Sequence, residues 1–224
     1  LIDNFRRYIN RPSDPNPEPS RVCPEQSSNP RRESGDERRI AIAKAARALI
    51  IEKGLEGLRT RDIAERVGIN IATLHYHVPS KEALVALVAE SLRADFKAQA
   101  LRHPRADQPG LLQLRIEFNE FREIVAEMPE LIGVLSELVD RARRDASIAD
   151  IILPMQAFWT SQFADIFRTG IADGSMRRSI DPEAAAVAVT AALSDCWRPH
   201  RRNQLDAVMA ELERAFSASP VSQG

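Results

Sequence analysis

The 224-residue sequence has only two cysteines, Cys23 and Cys196, far apart and in unlike contexts. That excludes a disulfide framework and a cysteine-based zinc set, and a reducing cytosol is the simpler setting. No apolar run is long enough to span a bilayer, and no basic segment followed by an apolar stretch marks a secretory signal. No strictly alternating stretch suggests a strand. The chain lacks a glycine-rich phosphate cradle, a cluster of metal ligands and a setting for a nucleophile, so no catalytic residue, metal site or cofactor is expected. Acid pairs such as Glu120 and Glu123 have the i, i+3 spacing common on solvated helix faces. A strong excess of one charge is also missing, since the formal net charge is −1. The first residue is Leu, as a fragment or an alternative start would give.

What is present is local. Residues 40–82 carry seven basic and five acidic groups, and the stretch after them is net acidic. A mildly basic front and an acidic back are expected if only the front meets phosphate. Residues 1–35 hold six of the 14 prolines and show no apolar period. They read as a disordered extension, and residues 218–224 as a disordered tail.

Order is expected from Ser34, where Ser34-x-x-Glu37 has capping-box spacing. Ile42, Ala45, Ala46, Leu49 and Ile50 then form one buried helical face, and Gly54 ends the helix. A very short second helix opens at Arg59 or Thr60, lines its inner side with Ile63, Ala64 and Val67, and stops at Gly68. Asn70 is a good N-cap for a third helix over residues 71–77. Pro79 closes that helix and Ser80 caps a fourth, running from Lys81 to about Arg102. A fifth carries Leu111, Leu114, Phe118, Phe121, Val125 and Met128 at three and four spacing, and Pro129 breaks it. Helices over 130–145 and about 148–172 follow, with Pro154 either in the first turn of the later one or kinking it. Gly170 and Gly174 read as a turn. Asp181-Pro182-Glu183 is a strong helix start, Pro199 a stop, and a last helix carries Leu205, Val208, Met209, Leu212 and Phe216. The fold class is all-α, with about nine helices.

Helices shorter than ~12 residues are marginal alone. Packed on the first and fourth helices, the two short ones joined at Gly68 become a rigid device for a DNA major groove. Ile71 and Ala72 sit where such helices meet bases and can touch thymine methyl groups. Thr73 and Tyr76 can reach base edges, sugar or phosphate, and His75 and His77 can donate to phosphate. Arg61 suits phosphate or a bidentate pair with guanine. Lys81 opens the fourth helix, whose backbone amides also favour phosphate. His75 and His77 do not share a metal, because i and i+2 point about 200° apart on a helix.

The stretch Thr60-Arg61-Asp62-Ile63-Ala64-Glu65-Arg66-Val67-Gly68-Ile69, followed by Thr73-Leu74-His75-Tyr76-His77-Val78-Pro79-Ser80-Lys81-Glu82-Ala83-Leu84, resembles the tetracycline-repressor (TetR) family. The resemblance extends weakly to Gly170–Gly174 and to Asp181-Pro182-Glu183, which are similar to the turn before the family's two dimerising helices. It implies a homodimeric, usually repressing regulator that binds double-stranded operator DNA and is released by a small-molecule effector. A three-helix DNA-binding domain over 36–84 would precede a helical ligand and dimerisation domain over 85–217. The setting would be cytoplasmic and nucleoid-associated, with no membrane partner.

Matched to the family pattern, Arg61, Thr73, Tyr76, His77 and Lys81 fall on positions that commonly contact DNA, and Asn70, Ile71 and Ala72 flank them. Two positions depart. Arg59 stands where Ser or Thr often caps the second helix, so Thr60 is expected to cap one residue later and free Arg59 for phosphate. His75 stands where Tyr is usual. Phe118, Phe121, Met155, Phe158, Trp159, Gln162 and Phe163 are the candidate pocket lining, with Gln162 as a polar anchor; core packing explains the same aromatics. Val187, Thr190, Ala191, Ser194, Trp197, Val208 and Leu212 are candidates for a four-helix dimer interface, the alternative being an internal hairpin. An activator on the same fold, or a helical enzyme, is the competing function.

Overall fold

The computed structural model describes residues 35–198 and 200–218. The extension over 1–34, with Ser34 of the capping box, and residues 219–224 lie outside the described residues, as does Pro199. Among the described residues there are nine α-helices and one short 3-10 turn. The first four are α1 (Gly35–Lys53), α2 (Thr60–Val67), α3 (Ile71–His77) and α4 (Lys81–Ala100). They are followed by α5 (Gly110–Glu127), α6 (Pro129–Ala142), α7 (Ala146–Asp173), α8 (Pro182–Cys196) and α9 (Leu205–Phe216). Extended pairing is confined to an isolated bridge between Met176 and Ser217.

Two cores organise these helices. The first joins α1 to α4 with α6 and the start of α7, through Leu49, Ile63, Leu74, Val88, Leu138 and Ile152. The second joins α5, the later part of α7, α8 and α9, through Leu114, Phe163, Phe167, Val189 and Met209. Each fully buried Leu, Ile or Phe contributes about 1.5–3 kcal/mol relative to exposure. The first four helices therefore share their apolar core with α6 and α7.

Polar contacts fix the same packing. Arg47 of α1 pairs with Asp95 of α4 at 2.6 Å. Arg66 of α2 forms a two-pronged bond with Glu52 of α1, at 2.7 and 2.8 Å. Glu56, beyond α1, pairs with Arg141 of α6.

The helix boundaries correct several expectations. Gly170 is not a turn residue: it is buried inside α7, and the turn belongs to Gly174, with φ at 78°. A Cβ placed on Gly110, at the start of α5, would lie 2.2 Å from the Gly170 nitrogen, so the two glycines let α5 and α7 cross backbone against backbone. That start is capped from another segment, because Asp173 accepts the Gly110 N–H at 2.7 Å and Ser175 accepts the Leu111 N–H at 3.0 Å. Pro154 lies well inside α7, past its first turn. Having no N–H, it leaves the carbonyl of Asp150 without its helical donor.

Candidate functional site

The turn between α2 and α3 is built as its residues dictate. Gly68 takes φ 74°, in the left-handed region. Its N–H bonds to the Glu65 carbonyl at 3.1 Å, and the Ile69 N–H bonds to the Ala64 carbonyl at 2.9 Å. Both close the end of α2. Asn70 then caps α3 by accepting the Thr73 N–H at 2.7 Å. Leu74 is buried and holds α3 to the core.

The opposite face of α3 is open. Ile71, Ala72, His75 and Tyr76 are exposed, and Tyr76 is 84% exposed. Thr73 and His77 are half-buried, and the rings of Tyr76 and His77 meet edge to face at 5.2 Å. Beyond that ring contact, a tyrosine held so far out of the core is available to a partner.

Beside this face is a groove. It brings Arg59, Thr60, Arg61, His75, Ser80 and Lys81 together at the starts of α2 and α4. Arg59, Arg61 and Lys81 are exposed and form no ion pair among the described residues, whereas Arg66 and Lys53 are consumed by Glu52 and Asp62. Free cations beside two helix N-termini make a strong anion site. One expectation is corrected here. Arg59 itself occupies the N-cap position of α2, and it makes no side-chain cap bond. Thr60 is the first helical residue and does not cap.

A second site is a cavity of about 200 Å³ between the two cores. Of the expected lining, Phe121, Met155, Phe158, Trp159 and Gln162 face it. Phe118 and Phe163 do not: both are buried core residues, one layer behind. Trp159 and Phe121 stack at 5.9 Å, and Phe121 and Trp197 at 6.3 Å, giving three near-parallel rings on one wall.

The residues that sequence reasoning missed are charged. Arg105, from the loop between α4 and α5, lies 2.8 Å from Glu117 and 3.4 Å from Glu120. Burial, and then repulsion from Glu117, push the Glu120 carboxyl up to about 8 against the pull of Arg105. Glu117 and Glu120 occur at i, i+3 on one helix, and the only advance signal was their place beside Leu114, Phe118 and Phe121 in the inward stripe.

The residues expected at a dimer face differ in their surroundings within the single chain. Val187 is 58% exposed and Ala191 is exposed. Thr190 instead points inward, bonding the Ala186 carbonyl at 2.9 Å. Ser194 and Trp197 line the cavity of their own chain. Val208 and Leu212 are half-buried against the second core.

Residues 42–88 match the model of the bacterial regulatory proteins of the tetR family. The chain is 38% identical over 66 residues to the tetracycline repressor protein class A from transposon 1721 of Escherichia coli, covering 30% of each. It is 32% identical over 105 residues to the HTH-type transcriptional regulator EthR of Mycobacterium tuberculosis, covering 44% of this chain and 49% of that one. The matched stretches thus span half or less of these relatives. The crystal structure of a TetR-family transcriptional regulator from Agrobacterium tumefaciens has the same fold, with a TM-score of 0.72 at 21% identity, covering 83% of this chain and 100% of that one. Residues 42–88 are thus a domain of the tetR family of bacterial regulatory proteins, and the described chain shares its overall fold with the Agrobacterium regulator. None of its described helices is long and apolar enough to cross a membrane.

Proposed function

We propose that this protein is a homodimeric repressor that binds operator DNA through α3 and is released by a small molecule in the cavity. The observation that carries the DNA reading is the exposed face of α3 beside the unpaired Arg59, Arg61 and Lys81. A capped seven-residue helix, anchored by one buried leucine and showing an exposed tyrosine, is shaped to enter a groove. In the dimer the exposed Val187 and Ala191 of α8 meet their symmetry mates, and small side chains allow that close approach. Two α3 helices then read half-sites roughly 34–36 Å apart.

The release reading rests on the position of the cavity. Its lining includes Phe96, Gln99 and Ala100 of α4, the helix whose first residue is Lys81. At 1.5 Å per residue α4 is about 30 Å long, so one rigid element touches both the effector space and the phosphate groove.

The test is selection of bound sequences from a random DNA library by the purified protein. The expected product is a two-fold symmetric site bound with an affinity that falls steeply with salt. Recovery of no common sequence, or binding indifferent to salt, overturns the proposal.

A further inference from the structure

The cavity has a polar end unlike its apolar walls. Glu117 and Glu120 are 8% and 5% exposed, and both line it. Oε1 of Glu120 is buried with no hydrogen-bond donor, Nε of Arg105 is buried with no acceptor, and Oε2 of Glu117 is buried with only its ion pair to Arg105 at 2.8 Å and no well-directed hydrogen bond. Buried polar groups left unsatisfied are costly, and more so when they are charged. The two carboxyls share the single guanidinium of Arg105 in their ion pairs, while Arg93 and Lys97 line the cavity from α4. The same cavity is also lined by the stacked rings of Phe121, Trp159 and Trp197.

We propose that the effector is a small organic cation, an amine or quaternary ammonium on an apolar body, whose charge is taken by Glu120 and Glu117. This rests on the reading of the cavity as the effector site. The apolar body lies against the aromatic wall. The cationic head supplies further positive charge and, for a primary amine, the missing donors. An anion is disfavoured, because Arg105 already faces both carboxylates and the incoming charge would meet them. At about 200 Å³ the space is below the usual 300–1,000 Å³ of ligand pockets, which limits the body to about one ring.

The charged groups acting on Glu120 are Glu117 and Glu123 on its own helix and Arg105 from the loop; Arg93 and Lys97 line the cavity from α4. With its carboxyl pushed up to about 8, Glu120 is protonated in the empty protein near neutrality. A bound cation favours the carboxylate, so binding releases that proton to solvent. Affinity for the cation then rises with pH, by up to about tenfold per unit, and levels off above about 8.

The experiment is calorimetric titration of the full chain with three probes of one skeleton: phenethylammonium, 2-phenylethanol and phenylacetate. Phenethylammonium is expected to bind at least about tenfold more tightly than the other two, with proton release below pH 8. Glu120→Gln is expected to weaken it about tenfold or more and to remove the pH dependence, with unchanged circular dichroism as the check on folding. Equal or tighter binding of the alcohol or the carboxylate overturns the proposal, as does the absence of saturable binding by the amine. Release of operator DNA is followed separately. Release by phenylacetate alone overturns the cation and leaves the effector reading standing. Tight amine binding without release upholds the cation and overturns the release mechanism.

Discussion

The side chain of Asn70 accepts the backbone N–H of Thr73 at 2.7 Å, and this bond starts the reading helix. Asn70→Ala leaves that donor bare at the head of a seven-residue helix. A loss of about 1 kcal/mol of stability is expected, whereas Asn70→Asp keeps the acceptor and most of the stability. Urea unfolding checks both.

Tyr76 and Lys81 are exposed, and Tyr76 touches only the ring of its neighbour His77 among the described ring contacts. Tyr76→Ala and Lys81→Ala are expected to change stability by no more than about 0.5 kcal/mol. Both should still weaken operator binding. For Lys81→Ala the loss should be similar across DNA sequences and should lower the salt slope by about one. Fluorescence anisotropy at several salt concentrations separates the two variants.

The crossing of α5 and α7 predicts an intolerant site. A methyl group on Gly110 would lie 2.2 Å from the backbone of Gly170, where no side chain can move aside. Gly110→Ala is expected to destabilise the fold by about 3 kcal/mol, the upper end of the usual overpacking cost. It would also pull α5 from its caps at Asp173 and Ser175. Thermal unfolding of the variant tests this.

Glu120 predicts a pH dependence of stability without any ligand. Its carboxyl sits at about 8 in the folded chain, above the ordinary 4.5 of an unfolded one. Between these values the folded state holds the extra proton, so the contribution to stability is full below about 4.5, falls as pH rises and is lost through about 8. Glu120→Gln should flatten the decline of the urea midpoint between about pH 5 and about pH 8.

The short helices were legible because each boundary is chemically marked: Gly68 and Pro79 as stops, Asn70 and Ser80 as caps, Leu74 as the buried anchor. Local rules decide such features. Gly170 misled because a glycine signals a turn and a close helix crossing equally well, and only the partner, Gly110, tells which. Thr60 misled because a good capping residue still has to stand at the right position, and the chain turns helical one residue too early for it. Arg105 with Glu117 and Glu120 was beyond sequence reasoning, since a loop must fold back before an arginine can meet two acids on the next helix. Thr190, Ser194 and Trp197 show the same limit on α8, whose apolar composition does not say which side faces its own chain.

Pro154 stands where the two cores meet. Ile148 and Ile152, before it, belong to the core shared with the DNA-binding helices, whereas Phe163 and Phe167, after it, belong to the other. Met155, its neighbour, borders the cavity. The seam between two rigid blocks thus coincides with the one rung that α7 is bound to lack, within reach of the guest. On the proposed release by a small molecule, an enlarged cavity would be relieved most cheaply by a change of angle at that rung, which would swing one block as a unit. In the proposed dimer joined through α8, such a swing would change the gap between the two α3 helices and leave each undistorted. Affinity for a site of fixed spacing is then lost through geometry, with every contact residue still in place.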